Sequence, residues 1–358
     1  KTVVKVYYKR KTYTVHFSVN GLGGSIAVTA VTGGGSATLT NPVSIKHGGE
    51  VTFTAQPDAG YKVKNWTLSE GNFTSGGGTG KEAKLTVTGN VTVAVEFELE
   101  PIPINGADAW ARLKIIIEER AFPGRTLIVE ISDEVKAAAM FYTFTIDGTE
   151  YTNCPNWGEI EIKDGQNITI RKAAGATSAI LNANKTGGGT KSAHRIFKVT
   201  SGTLTLENLT LTGGIVPSGE DGGAIYAKDA TVKMTECTLT GNTAGRNGGG
   251  VCAEKATVKM TNCTLTKNTA GGSGGGIVIN GSINNTITNC TITGNKANEG
   301  NGGGVYAGKS EGTTPSTVTI SGGAIGGTGT DANEATTSSI LLGNGGGIFI
   351  NTGCIVTL

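Results

Sequence analysis

The chain has 358 residues, with 58 glycines, 6% aromatic residues and a net charge of +2 from 30 basic and 28 acidic side chains. The near balance of charge argues against a nucleic-acid groove or a polybasic membrane patch, and no apolar run approaches the ~20 residues of a membrane helix. The glycines follow no three-residue period, which excludes a collagen-like chain, and abundant Thr, Val and Ile favour strands.

The segment 12–100 has the pattern of a small all-β domain. Alternating apolar residues in TYTVHFSV, EVTFTA and NVTVAVEFE predict strands with one buried face. Four aromatic residues are expected in the core, with an exposed ligand platform as the alternative: Phe53, Tyr61, Trp66 and Phe97. The segments YTVHFS, VTFTAQPDAGYKVKNW and VTVAVEFE resemble the divergent B-repeat of internalin-like bacterial surface proteins. That resemblance implies a spacer or interaction module without catalytic residues, and residues 1–11 are expected to end a preceding repeat.

A linker and a helix are predicted next. Two prolines in ELEPIPINGADAW mark residues 101–106 as a linker, and Asp108 is the expected N-cap of a helix over 107–122. Four apolar residues share one face of this helix: Trp110, Leu113, Ile117 and Phe122. Because the open end of a stack of strands invites aggregation, the helix is expected to cap the repeats that follow.

Short, closely spaced strands begin near Gly124, and a repeat takes over further along. The copies are spaced by 26, 26, 28 and 43 residues, with anchors at Gly222, Gly248, Gly274, Gly302 and Gly345. Three apolar columns align between copies: Ile225, Val251, Ile277, Val305 and Ile348; Met234, Met260 and Ile287; Leu239, Leu265 and Ile292. One copy holds about three strands and cannot bury its own apolar side, whereas coils stacked ~4.8 Å apart can. The period therefore predicts a parallel β-helix over 107–358.

The repeat also resembles known families. GGAI or GGGV followed by LTGN or ITGN resembles the GGAI…FxxN repeats of polymorphic outer-membrane proteins, with Leu or Ile in place of Phe. The wider resemblance is to pectate-lyase-like right-handed β-helix repeats of bacterial surface proteins. It implies an all-β protein in which a B-repeat-like domain precedes a right-handed, single-stranded parallel β-helix with a short N-terminal capping helix. Because that scaffold hosts both enzymes and adhesins, it implies no single function.

Recurring polar and sulfur residues are first interpreted as architecture. Four asparagines are expected to hydrogen-bond at a stacked corner: Asn242, Asn268, Asn295 and Asn344. Three cysteines are expected as reduced core residues, with disulfides between coils as the alternative: Cys237, Cys263 and Cys290. Cys252 falls on the outward phase and is expected to be the reactive thiol. A zinc site is not expected, because the chain lacks a CxxC motif and contains only three histidines.

Acidic residues are dispersed among the copies, which argues against the gathered carboxylates of a glycan-cleaving site. Three surface pairs of opposite charge are expected between coils: Glu220 with Arg246, Asp229 with Lys255, and Lys228 with Glu254. Two acidic pairs are interpreted as turns, with calcium binding as the alternative: Asp221 with Glu220, and Asp331 with Glu334. An enzymatic site within 124–200 remains the alternative for the irregular part of the β-helix.

One outward pattern is a candidate for ligand binding. A T-x-T motif recurs on four coils, forming a threonine ladder of Thr210, Thr212, Thr238, Thr240, Thr264, Thr266, Thr291 and Thr293. It resembles the arrays of ice-binding β-helices, and flat hydroxyl arrays also suit glycans. The alternative is structural, because Thr is a good strand former.

These observations favour a non-enzymatic bacterial cell-surface or secreted protein that acts as a spacer and adhesin-type binding module. The expected partner is a glycan or a host or matrix protein, and the alternative is a polysaccharide-active lyase or glycoside hydrolase. We assign no catalytic residue, cofactor or metal site, and we expect a monomer without a nucleic-acid partner or transmembrane segment. The chain begins in mid-pattern, so we expect a fragment that lacks its signal peptide.

Overall fold

A computed structural model describes residues 8–34, 39–58, 60–121, 123–184, 193–309, 314–335 and 346–358. The chain divides into two compact units, Lys1–Pro101 and Ile102–Leu358. Within the described ranges, no helix is long and apolar enough to cross a membrane.

The first unit consists of two packed sheets. Its strands are β1 (Thr12–Asn20), β2 (Gly24–Thr32), β3 (Val43–Lys46), β4 (Gly49–Pro57), β5 (Tyr61–Leu68), β6 (Ser75–Gly76), β7 (Glu82–Val87) and β8 (Val91–Leu99). One sheet has the order β3-β1-β8-β5 and the other β2-β4-β7-β6. Phe53, Trp66 and Phe97 are buried in the core as predicted, and the half-buried Tyr61 packs at its margin. Trp66 also donates from Nε1 to the carbonyl of Gly80 at 2.7 Å, which satisfies its buried N–H.

The second unit begins with a strand and a helix. Its first elements are β9 (Ile102–Ile104), α1 (Ala109–Arg120), β10 (Thr126–Ile131), β11 (Asp133–Lys136), β12 (Phe141–Ile146), β13 (Thr149–Pro155), β14 (Ile160–Ile162), β15 (Asn167–Lys172), β16 (Ala179–Asn182), β17 (Phe197–Thr200), β18 (Thr203–Glu207) and β19 (Thr210–Thr212). β12 and β13 form an antiparallel hairpin, whereas the other strands pair in parallel with strands from neighbouring coils.

The regular repeats follow. Their strands are β20 (Ile225–Lys228), β21 (Thr231–Thr235), β22 (Thr238–Thr240), β23 (Thr243–Ala244), β24 (Val251–Glu254), β25 (Thr257–Thr261), β26 (Thr264–Thr266), β27 (Thr269–Ala270), β28 (Ile277–Asn280), β29 (Asn285–Thr288), β30 (Thr291–Thr293), β31 (Lys296–Ala297), β32 (Val305–Gly308), β33 (Thr317–Ser321), β34 (Ala324–Gly326), β35 (Glu334–Ala335), β36 (Ile348–Ile350) and β37 (Ile355–Thr357). A short 3₁₀ helix spans Gly329–Asp331.

Stacked coils build three long parallel sheets. The first sheet has the order β37-β33-β29-β25-β21-β18-β15-β10-β9, the second β11-β16-β19-β22-β26-β30-β34, and the third β14-β17-β20-β24-β28-β32-β36. A short fourth sheet joins β23-β27-β31-β35. This is the parallel β-helix that the period predicts.

The predicted apolar columns coincide with the observed register. In the third sheet, Ile225 pairs with Val251, which in turn pairs with Ile277, and all three are 0% exposed. Met234 and Met260 form an equivalent inward pair in the first sheet. Stacking therefore places like residues above one another, and one continuous core runs through the unit.

Helix α1 packs its apolar face against this core. Trp110, Leu113 and Ile117 are 0% exposed, as is Ile116, while Phe122 lies outside the described residues. Asp108 occupies the N-cap position as predicted, and its carbonyl accepts from the N–H of Arg112 at 3.0 Å. Its side chain, however, makes no capping hydrogen bond, and its backbone ψ of 4° is far from the extended conformation that N-caps usually adopt.

Tertiary contacts supply the caps of α1 instead. The N–H of Ala111 in the first turn donates to Oδ1 of Asn156 at 2.8 Å. At the other end, Nε2 of the buried Gln166 donates to the carbonyls of Ile117 and Ala121, both at 3.0 Å. Both helix ends therefore obtain their hydrogen bonds from residues that are distant in sequence.

The predicted linker also contains an element of the β-helix. Residues 102–104 form β9, in which Ile104 pairs with Ile131 of β10 and is 0% exposed. Pro103 is tolerated because β9 is the edge strand of the first sheet and Pro lacks only a ladder donor. The interpretation of 101–106 as a linker is therefore wrong for these three residues.

Candidate functional site

The outer face of the third sheet is partly covered by the chain that leads into each strand. A Cβ at Gly248 would lie 2.7 Å from Cβ of Cys252, and a Cβ at Gly274 would overlap the side chain of Val278. Both glycines have positive φ (69° and 66°), which side chains rarely adopt. The glycines therefore let the backbone lie directly on the sheet, and Cys252 and Val278 become 0% exposed although they point outward.

This cover corrects the expectation of a reactive thiol at Cys252. Burial raises the pKa of Cys252 well above its usual value, and the charges of Asp221 and Glu254 raise it further. The group stays a protonated, inaccessible thiol, because desolvation disfavours the thiolate.

The turn residues before each strand form a ladder of their own. The backbone N–H of Asn247 donates to Oδ1 of Asp221 at 2.9 Å, and that of Ser273 donates to Oδ1 of Asn247 at 2.9 Å. The N–H of Asn301 donates to Oγ of Ser273 at 3.1 Å. Each side chain thus satisfies a backbone donor of the next coil, which supports the interpretation of Asp221 as a turn residue.

Arginines neutralise the acids beside this ladder. Arg246 donates from Nε to Oδ1 of the buried Asp221 at 2.9 Å, and its terminal nitrogen contacts the second carboxylate oxygen. This bond raises the pKa of Arg246 above its ordinary value. The mostly buried Arg195 bridges Glu159 at 2.7 Å and Glu220 at 2.6 Å.

The three cross-coil pairs expected from the sequence do not form. Arg246 binds Asp221 in place of Glu220, and neither Asp229 with Lys255 nor Lys228 with Glu254 makes an ion pair within the described ranges. Facing positions on adjacent coils bring the backbones together, but the side chains extend along the strand as well as across it. Arg246 therefore binds the residue that follows its expected partner, and the charged groups of the other two expected pairs stay apart.

Tyr226 connects the arginine pairs to the next coil. Its hydroxyl donates to Oε2 of Glu254 at 2.8 Å, and the guanidinium of Arg195 lies 5.5 Å from its ring centroid. Burial, followed by the contact with Glu254, raises the pKa of Tyr226 well above its ordinary value. The phenol is therefore held protonated, as a hydrogen-bond donor.

A concave surface adjoins these residues at the ends of β20, β24, β28 and β32. We call it the basic groove; its volume is about 380 Å³ and it is lined by Lys228, Arg246, Asn247, Glu254, Lys255, Asn280 and Lys309. Lys228, Lys255 and Lys309 are exposed and form no ion pair with any described residue. Glu254 is the one carboxylate in the lining, and it already accepts from Tyr226.

Lys255 has an unusual backbone for its residue type. Its φ is 50°, at a corner that Ser201, Asp229 and Gly281 occupy on other coils with φ between 48° and 58°. Asp and Gly adopt this left-handed region far more readily than Lys. The lysine thus stands where the fold itself favours a shorter residue.

The oxygen and sulfur groups beside the groove do not suit a metal ion. One ligand atom each from Asp221, Cys252 and Glu254 lies within 4.8 Å of the others. However, the guanidinium of Arg246 already contacts both oxygens of Asp221, and the thiol is held protonated. A cation would therefore meet an existing positive charge.

The acids considered for calcium further along the chain have other roles. Glu334 forms an ion pair with Lys296 at 3.5 Å between coils of the fourth sheet. Asp331 ends the short 3₁₀ helix, and its N–H donates to the carbonyl of Thr328 at 3.1 Å. These contacts agree with turn formation.

The threonine ladder lies on the second sheet. Its register pairs Thr210 with Thr238, Thr238 with Thr264, and Thr264 with Thr291, and the second row pairs likewise. Thr291 is exposed and the other seven threonines are half-buried. The ladder ends where Ala324 and Gly326 replace the next pair. The structure thus assembles the ladder as four rungs, and its binding role stays a prediction.

The fold, in which a small β unit accompanies a parallel β-helix, fits a surface-type repeat protein. Residues 25–101 match the divergent InlB B-repeat domain, and residues 194–358 match the right handed beta helix region. Comparison with curated proteins and with solved structures gives no significant match. The two matches confirm the predicted fold class and the B-repeat resemblance, whereas the narrower likeness to polymorphic outer-membrane or pectate-lyase-like proteins stays a prediction.

Proposed function

We propose that this protein is a non-enzymatic spacer and adhesin-type binding protein of the bacterial surface, whose β-helix captures an acidic glycan in the basic groove. The observation that carries the proposal is the convergence of Lys228, Lys255 and Lys309, all exposed and without an acidic partner among the described residues. In a chain with a net charge of only +2, this local excess of positive charge fits an anionic ligand.

The composition of the groove favours a glycan among anions. Ammonium groups bind carboxylates or sulfates, and the side-chain amides of Asn247 and Asn280 in the same lining suit hydroxyl groups. An acidic polysaccharide offers both kinds of group on every few sugar units. Because one exposed ion pair contributes less than about 1 kcal/mol, useful affinity requires several contacts along a chain.

A polysaccharide-active enzyme is the second candidate, because the groove gathers basic side chains and a carboxylate in one place. Two observations favour binding over cleavage. The raised pKa of Tyr226 makes its hydroxyl a poor general base, and the oxygens of Asp221 are held by Arg246. The B-repeat-like unit is proposed as the spacer, and the protein as a monomer.

The test compares binding of polygalacturonate, heparin, dextran and a single-stranded oligonucleotide at low and physiological salt. We expect the two acidic glycans to bind, dextran not to bind, and affinity to fall as salt rises. The triple variant Lys228→Gln, Lys255→Asn, Lys309→Gln should lose at least tenfold in affinity.

The chain offers a matched control for that variant. Lys233, Lys259 and Lys267 are exposed outside the groove, and Lys267 has a left-handed φ of 56° close to that of Lys255. The variant Lys233→Gln, Lys259→Gln, Lys267→Asn changes net charge equally and should bind normally. Equal losses in both variants, or equal binding of the oligonucleotide, would show general polyanion attraction. Release of unsaturated or reducing sugars by the unmodified protein would establish the enzyme instead.

A further inference from the structure

A different concave surface lies at the corner between the first and second sheets, beside the first two rungs of the threonine ladder. We call it the ladder cleft; it consists of two adjoining depressions of about 210 and 340 Å³ that share Lys172, Asn208 and Glu236. The smaller one is lined further by Thr177, Ser178, Ala179, Ile180, Leu209, Thr210 and Thr238, and the larger one by Arg171, Glu207 and Thr235.

We infer that the ladder cleft is a second binding site, which takes a neutral, unbranched glycan. Its location at the corner between the first and second sheets, its lining and its charge all differ from those of the basic groove, so the inference does not depend on the proposed function. Three features of the cleft carry it.

The first feature is Glu236, whose residue type differs from that of the equivalent corner positions on neighbouring coils. The equivalent corners of neighbouring coils carry Asn208, Asn262, Asn289 and Gly322, with φ between 51° and 63°. Glu236 adopts φ 55° at the same place, and its N–H makes the same coil-to-coil bond, to the carbonyl of Thr261 at 2.9 Å. Asn and Gly favour this left-handed backbone, whereas Glu does not. The fold therefore gains nothing from a glutamate here, while the cleft gains an exposed carboxylate.

The second feature is the balance of charge. The shared part of the lining carries Lys172 and Glu236, and the larger depression adds Arg171 and Glu207, which are register partners on adjacent strands. Arg171 is already paired with Glu130 at 2.9 Å. Such a lining does not concentrate an anion or a cation, but it offers charged donors and acceptors for hydroxyl groups.

The third feature is the spacing of the hydroxyls. Thr210 and Thr238 are register partners on adjacent coils, and the ladder continues beyond the cleft through Thr264 and Thr291. Neighbouring strands lie ~4.8 Å apart, which is comparable with the rise of one sugar along an extended glycan. A linear neutral chain lying along the axis of the β-helix would thus meet a hydroxyl on each coil, with the half-buried Ile180 beside the first rung.

The experiment measures binding of the full chain to cello-, xylo- and manno-hexaose by calorimetry, with an acidic oligogalacturonate for comparison. We expect at least one neutral hexaose to bind with little dependence on salt. Glu236→Asn should weaken that binding at least tenfold while the melting temperature stays equal or rises, because Asn suits the corner. A loss of binding with an intact or improved fold separates recognition from structure.

Two further variants test the hydroxyls. The double variant Thr210→Val, Thr238→Val should also weaken binding, whereas Thr319→Val, an exposed threonine of β33 in the first sheet and away from the cleft, should not. The lysine triple variant of the basic groove should leave neutral-glycan binding unchanged, so failure of one site is distinguishable from failure of the other. The inference is overturned if no neutral hexaose binds, or if Glu236→Asn binds as tightly as the unmodified protein.

Discussion

Oδ1 of Asn268 accepts two hydrogen bonds from Asn242 of the preceding coil, one from its backbone N–H at 3.1 Å and one from its side-chain amide at 3.0 Å. Asn295 makes the same pair of contacts with Asn268, and Asn333 with Asn295. The predicted fourth member, Asn344, lies outside the described residues, and Asn333 continues the ladder. These four buried amides satisfy backbone groups that the turn leaves open.

Substituting Asn268 by Ala should destabilise the β-helix by about 3 kcal/mol, because the N–H of Asn242 and the carbonyl of Leu239 lose buried partners. Urea unfolding followed by circular dichroism measures the loss. Thr261→Ala on the same coil is the control, since Thr261 is exposed. Equal stability of the two variants would contradict the role given to the asparagine ladder.

A methyl group at Gly249 should be poorly tolerated. A Cβ there would lie 2.6 Å from the backbone nitrogen of Thr269 and would also overlap the carbonyl oxygen of Gly275. Backbone atoms cannot rotate away, so Gly249→Ala should destabilise the protein by about 3 kcal/mol. At Gly347 the nearest atom would be 3.7 Å away, and Gly347→Ala should melt almost normally. Similar melting of both variants would refute the close coil packing.

Thiol labelling of the native protein should be restricted. Cys237, Cys252, Cys263 and Cys290 are at most 1% exposed, whereas Cys354 is half-buried. Hydrogen bonding with Cys237 raises the pKa of Cys263 to about 11, so that thiol is also unreactive near neutral pH. We expect brief iodoacetamide treatment to modify Cys354 first and the protected four only after denaturation, as read by peptide mass spectrometry. Rapid native labelling of Cys252 would contradict its burial.

The boundary of the β-helix should depend on β9. A fragment of residues 102–358 is expected to melt cooperatively, because its core cluster begins at Ile104. A fragment of residues 107–358 lacks β9 and exposes the edge of β10, so it should melt at a lower temperature. Differential scanning calorimetry compares the two. Identical melting would mean that β9 contributes no stability.

Acid should weaken the β-helix through His194. Burial lowers the pKa of this histidine below its ordinary value of 6.5, and the positive charges of Lys114 and Arg195 lower it further. The unfolded chain therefore binds a proton that the folded chain resists, and stability should fall as pH drops below 6.5.

The fragment 102–358 suits this measurement because His16 and His47 lie outside it. Its urea midpoint should decrease between neutral and mildly acidic buffer. His194→Asn retains a donor for the carbonyl of Arg195, which Nδ1 of His194 contacts at 2.7 Å, and should flatten the decrease. An unchanged slope in that variant would assign the acid sensitivity to other groups.

The period by itself determined the architecture. Inward residues of a β-helix must recur at one phase on every coil, since stacking is their only route to burial. The columns that begin at Ile225 and Met234 could therefore be read from the repeat and match the observed register. The cysteine column was likewise predicted as core, and Cys237 and Cys263 are buried.

Only the tertiary structure determines what covers the outer face of each coil. Alternation predicts that Cys252 points outward, but only the backbone path through Gly248 reveals that it is covered. The basic groove brings together Lys228, Lys255 and Lys309 from separate coils, and the repeat by itself does not show that all three lack an acidic partner among the described residues. A regular period fixes which residues share a column, whereas a surface site depends on side chains and turns that differ between copies, and these acquire neighbours only when the coils stack.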